Sequence, residues 1–221
     1  MYRAASPLQA SYQVMTKRLL SSIFSLAIIS IAFASVAHAQ RGITADEYAV
    51  YSAVLRSVYE HDRNTYSSCC EFVILEETKT DKEAWEGSFD FSKYRKLFEN
   101  FERKNATPER ISRQLPFLTY HLVGQTELDV LFAEGKKVAE ESRKKYQNLL
   151  GTEYWIPFAT KYPKSVGLHT LSRVGFEPKR SLALVNVTFD SNLVGFSRMY
   201  VLRKKGKAWK IVSRSGMESI S

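Results

Sequence analysis

From Thr44 onward the chain repeats apolar residues at intervals of three and four. Tyr48, Tyr51, Leu55, Val58 and Tyr59 fall on one stripe that runs to about His61, which predicts an amphipathic helix. Its start carries Thr44-Ala45-Asp46-Glu47, a hydroxyl three residues ahead of a glutamate, the pairing that satisfies free amides at a helix N-terminus. The short aromatic and β-branched run Cys70-Glu71-Phe72-Val73-Ile74-Leu75 predicts a buried strand over residues 69–77. Helical spacing returns at Phe89, Phe91, Tyr94, Leu97, Phe98 and Phe101, interleaved with Lys93, Arg95, Lys96, Arg103 and Lys104. This predicts a basic amphipathic helix, and Pro108 limits its length. Residues 117–124 predict another short strand, and 127–150 a helix that Gly135 breaks. Tyr154-Trp155-Ile156-Pro157-Phe158 predicts a short helix or turn ended by Tyr162-Pro163.

After Lys164 the pattern changes to β. Runs 166–177, 181–190, 194–204 and 207–214 are separated by Glu177-Pro178-Lys179-Arg180, Asp190-Ser191-Asn192 and Lys205-Gly206-Lys207. Ala183, Val185, Val187 and Phe189 alternate onto one face, while Leu182 and Leu184 partly cover the other. Connections this short force neighbouring strands to run antiparallel. The predicted fold is α+β: N-terminal helices packed across one face of a C-terminal four-stranded antiparallel meander, in a single domain over residues 40–221.

The beginning of the chain follows another logic. Residues 1–39 hold no acid and three bases, Arg3, Lys17 and Arg18, and the latter two precede an apolar run from Leu19 to Val36 interrupted only by serines. Ala37-His38-Ala39 then offers the small residues that a signal peptidase reads, which predicts cleavage near Ala39/Gln40 and export to the periplasm or the medium. Met15-Thr-Lys-Arg-Leu-Leu is the more compact start for such a leader, so translation is expected to begin there. The run is also near the lower length for a bilayer span, but its serines and its ending favour cleavage, and no stable membrane span is expected afterwards.

Composition narrows the classes further. The 221 residues are 44% hydrophobic and 25% charged, which excludes a disordered tail, a collagen-like fibre and a multi-pass membrane protein. Two cysteines cannot build a disulfide-dense miniprotein or a four-cysteine zinc module. Cys69 and Cys70 are adjacent, about 3.8 Å apart at Cα, closer than ordinary disulfide geometry. Small residues of a core strand is the simplest reading. A vicinal disulfide, an intermolecular bridge and a metal thiolate are the alternatives. The formal charge is +9, and the bases gather at Lys93-Arg95-Lys96, Arg103-Lys104, Lys136-Lys137, Arg143-Lys144-Lys145, Lys179-Arg180 and Arg203-Lys204-Lys205-Lys207. The aromatics follow core periodicity, so no nucleic-acid partner is expected; an anionic envelope polymer or another envelope protein fits better.

The pieces Trp155-Ile156-Pro157-Phe158, Leu171-Ser172-Arg173-Val174-Gly175-Phe176, Ala183-Leu184-Val185, Tyr200-Val201-Leu202 and Trp209 resemble a family of small exported bacterial proteins of unknown function. The resemblance reaches back to Glu47-Tyr48 and covers most of residues 40–221. It implies a cysteine near the turn at Asp190-Gly195, which this sequence lacks, and it implies no activity. Helices over a curved antiparallel sheet are also similar in architecture to nuclear transport factor 2-like and cystatin-like folds, which host enzymes and binders alike.

No motif supplies a catalytic set. His61, His121 and His169 stand in no His-x-x-x-His or His-Glu-x-x-His spacing, and Glu76-Glu77 diverge on a strand, so no metal site or cofactor is expected. No Gly-x-Ser-x-Gly elbow and no phosphate-cradling glycine run occurs. Ser172 and His169 lie three apart on a predicted strand and face opposite ways. Arg173 stands out inside an apolar run, where its charge must find an acceptor or point outward. It is expected to pair with Glu177 or a helix carboxylate, or else to bind an anion at a sheet-lined cavity. The candidate binding residues are therefore Arg173, His169, His121 and Asp190. The sequence predicts a binding or interaction module, with a small hydrolase-like enzyme as the alternative.

Overall fold

The predicted capping box forms. Thr44 N donates to Glu47 Oε2 at 3.0 Å and Glu47 N to Thr44 Oγ1 at 3.4 Å, opening α1 (Ala45–Thr65). The computed structural model describes residues 42–65, 71–79, 92–112, 115–116, 119–145, 152–165, 167–192 and 194–220. The expected leader, Cys69 and Cys70 lie outside these residues. Ile43–Ser221 forms one compact unit, and the described residues contain three further helices, α2 (Arg95–Asn105), α3 (Gln125–Lys145) and α4 (Ile156–Lys161). Short 3-10 turns lead into α2 and α4. None of these helices is long and apolar enough to cross a membrane.

The strands are β1 (Phe72–Leu75), β2 (Tyr120–Val123), β3 (Leu168–Leu171), β4 (Gly175–Phe176), β5 (Leu182–Asp190), β6 (Val194–Lys205) and β7 (Ala208–Ile220). They build one sheet in the order β2-β1-β3-β5-β6-β7, with β4 also paired to β5. The class is α+β as expected, but the sheet is not the four-stranded antiparallel one. It is mixed and, among the described residues, seven-stranded, because β1 runs parallel to both β2 and β3. Parallel neighbours are joined by long crossovers rather than tight turns, so nothing local in the sequence announced them. The predicted strand 166–177 is also divided, into β3 and β4, at Ser172–Val174.

Helices cover both faces, not one. Phe72 and Ile74 of β1 pack with Leu171, Val185 and Leu202 beneath Tyr51 and Leu55 of α1. The alternate residues Val73 and Leu75 pack with Leu128 of α3 and Phe158 of α4. On that same second face Leu97 and Phe101 of α2 cover Leu184, Met199 and Val201. A sheet buried on both sides explains why β1 reads as a continuous apolar run and why all four residues of β3 are buried. Gly135 does not break α3. A Cβ there would collide with the Tyr154 carbonyl oxygen, so the glycine lets the chain ahead of α4 lie directly against the helix.

Candidate functional site

The break between β3 and β4 is where the most elaborate chemistry lies. Over these residues α2 replaces strand pairing with side chains. Arg173 N donates to Asn105 Oδ1 at 2.7 Å, Asn105 Nδ2 donates back to Arg173 O at 3.0 Å, and Phe176 N donates to Asn100 Oδ1 at 2.8 Å. Tyr51 Oη donates to Ser172 O at 2.8 Å from the other side. Ser172 N still donates to Asn186 O of β5 at 3.0 Å, the chain leaves the ladder at Arg173, and the Arg173 side chain turns toward the start of α1.

There Arg173 Nε and Nη2 donate to the two oxygens of Glu47 at 2.9 and 3.2 Å. Lys104 Nζ reaches Glu47 Oε2 at 3.2 Å, and Arg173 Nη1 reaches Glu109 Oε1 at 3.4 Å. The Val174 amide and the Thr44 hydroxyl add bonds to Glu47 at 3.3 and 3.0 Å. Glu47 is 0% exposed and Arg173 5%. Burial alone would raise the Glu47 carboxyl, but hydrogen bonds from Arg173 and the Thr44 backbone, with the charges of Lys104 and Arg173, hold it below its ordinary value. Burial works against the Arg173 cation as well, and Glu47 outweighs it and raises its pKa. Lys104 goes down, because its desolvation exceeds the help from Glu47. Two cations and two carboxylates thus balance, and every Glu47 lone pair has a donor. Arg173 finds the helix carboxylate expected of it; Glu177 instead accepts the Ser181 hydroxyl.

The other three candidates do not join it. His121, Val73, Leu168 and Asp190 occupy one row across β2, β1, β3 and β5, so His121 and Asp190 share a face but stand three strand spacings apart, roughly 14 Å. His169, one residue along β3, lies on the opposite face between Phe72 and Phe189, with ring centroids at 4.8 and 4.9 Å. Neither ring nitrogen has a hydrogen-bond partner. Burial pushes its pKa down to about 3; the Val73 backbone beside it pulls the other way without reaching hydrogen-bond geometry. His169 is therefore a neutral core residue. His121 is half exposed; its Nε2 lies 3.1 Å from Glu71 Oε2, with Lys164 Nζ 3.5 Å from the same carboxylate. Hydrogen bonding to His121 lowers the Glu71 carboxyl. The His121 ring also sits 5.5 Å from that of Tyr162, whose hydroxyl donates to Glu127.

Two of the concavities formed by the described residues carry charge. A crevice of about 580 Å3 at the ends of β1 and β2 is lined by Glu76, Glu77 and Glu127 with Lys161. Glu76 is held by Arg110 at 3.1 Å and Glu127 by Lys161 at 2.7 Å, and among the described residues no group of three His, Cys, Asp or Glu side chains is placed to hold a metal. A groove of about 400 Å3 runs between the first turn of α2 and the β4–β5 loop. Lys93, Arg95 and Lys96 line it against the single carboxylate Glu177, over Pro178 and Leu182. All three cations are exposed.

The sequence reading missed Glu47, Lys104, Asn105 and Glu109 as partners of Arg173. One signal was present: Glu47 stands four residues before Tyr51 and eight before Leu55, on the apolar stripe of α1, where a carboxylate must be paired. No protein-family model, no curated protein and no solved structure matches this chain.

Proposed function

We propose that the protein is an exported binding module of the bacterial envelope, and that its partner is an anionic envelope polymer docked along the groove between α2 and the β4–β5 loop. The observation that carries this reading is the charge of the groove: the exposed Lys93 and Lys96, beside an Arg95 that pairs with Glu99 at 3.6 Å, line it against the single carboxylate Glu177. A flexible polyanion gains from such a strip without needing a shaped pocket. The leader-like residues 1–39 and the resemblance to exported proteins supply the compartment. The competing reading, a small enzyme using His121, His169, Arg173 and Asp190, needs those groups within reach of one substrate. Their separation across the sheet and the saturation of Arg173 by Glu47 favour binding.

Titration of polyphosphate, read by fluorescence anisotropy at about 20 and 200 mM salt, tests it. Binding should weaken steeply with salt and fall several-fold in the Lys93→Ala, Lys96→Ala double variant at an unchanged melting temperature. No binding at low salt, or binding indifferent to salt and to the double variant, contradicts the reading.

A further inference from the structure

A different concavity calls for a different ligand. Between α4 and the turn joining β5 to β6 lies a cleft of about 450 Å3, within the range of small-molecule sites. Its apolar surface comes from Trp155, Ile156, Phe158 and Phe189. The Trp155 indole packs at nearly right angles to Phe132 and Phe158, with centroids at 5.1 and 5.2 Å, so this aromatic part of the lining is held in place before anything binds. Polar groups from Thr152, Ser165, Ser191 and Asn192 share the lining. The Ser165 hydroxyl donates to Gly167 O at 2.8 Å and accepts Gly167 N at 3.3 Å, and Ser191 donates to Val194 O at 2.8 Å and accepts Val194 N at 3.1 Å, so both are engaged in their own turns; the second lone pair of Ser165, the Thr152 hydroxyl and the Asn192 amide, which both donates and accepts, are the groups a ligand can use.

None of the described residues lining the cleft is ionisable, in a chain with formal charge +9. An anion finds no cation there, a cation finds no carboxylate, and a pure hydrocarbon wastes the hydroxyl and amide groups. We infer that the cleft binds a neutral saccharide ring, its C–H face against Trp155 and its hydroxyls directed to Asn192, Thr152 and Ser165. This site is independent of the cationic groove. Its binding is insensitive to salt, so its failure and that of the polyanion reading are separately visible.

Saturation-transfer NMR on the full chain with methyl N-acetyl-β-glucosaminide tests it, with glucuronic acid and benzyl alcohol as charged and apolar controls. The glycoside ring protons should receive saturation, unchanged at about 0.5 M salt, and the controls should receive less. Asn192→Ala, at an exposed position, should weaken the glycoside about fivefold, the value of one hydrogen bond, with an unaltered melting curve. Trp155→Ala should abolish the transfer. No transfer to the glycoside overturns the inference. So does equal transfer in both variants, or a preference for benzyl alcohol.

Discussion

Asp46 and Glu47 are adjacent on the first turn of α1, and their surroundings are opposite. Asp46 takes Lys204 Nζ at 3.0 Å and Arg180 Nη1 at 3.2 Å on a surface where all three side chains are partly or largely exposed. Glu47 points inward and is fully enclosed with Arg173, Lys104 and two backbone amides. Both carboxyls are lowered, Asp46 chiefly by the hydrogen bond from Lys204 and Glu47 by the Arg173 fork against its own desolvation. The same direction of shift therefore has different structural meaning. Water can replace the partners of Asp46, whereas nothing replaces those of Glu47. Buried pairs are costly to break because the surviving charge is stranded, and exposed pairs are worth little because solvent screens them.

The largest effect should come from stranding one charge. Glu47→Ala is expected to lose about 3–5 kcal/mol of unfolding free energy in urea titrations, with the capping hydrogen bond lost alongside. A loss near that of a surface pair would erase the contrast between the two carboxylates. Next comes His169, which extends the comparison to a group buried without any partner. Above about pH 6.5 its imidazole is neutral whether the chain is folded or not. Below that the unfolded chain takes up a proton that the folded ring, pushed down to about 3, refuses. The unfolded state then binds more protons, so stability falls as pH falls, by up to about 1.4 kcal/mol per pH unit. His169→Leu should flatten this slope between pH 6.5 and 5, as read from urea midpoints; an unchanged slope would mean the ring is reached by water. The smallest effect belongs to the exposed pair: Lys204→Ala should cost about 0.2–1 kcal/mol and less at high salt.

The elements that announce themselves locally were legible. The capping box and apolar stripe of α1, the alternation of β5 and the tight Lys205-Gly206-Lys207 connection of β6 to β7 all follow from spacing alone. The parallel partnership of β1 with β2 and β3 was not, since it depends on crossovers of dozens of residues that carry no turn signal. Gly135 shows the same limit at one residue. A glycine in a helix reads as a break, yet here it permits contact with Tyr154, a residue distant in sequence. For the site, the need of Arg173 for a carboxylate was evident from its apolar setting, but the identity of that carboxylate was hidden because Glu47 already had a role in capping. His121, His169 and Asp190 were grouped by residue type, and strand register then distributed them over two faces and three strand spacings. The aromatic cleft was invisible because Trp155 comes from the 3-10 turn ahead of α4 and Phe158 from α4, while Phe189 comes from the end of β5.

The proposed division, internal charges holding the fold together and external ones meeting a polyanion, is probed most directly by Arg173→Ala, with thermal melting and polyphosphate affinity measured on the same sample. A marked drop in melting temperature, with affinity per folded molecule equal to that of the wild type at low temperature, is the predicted result. An unchanged melting temperature with lost polyphosphate binding would contradict it and make Arg173 a ligand-binding residue.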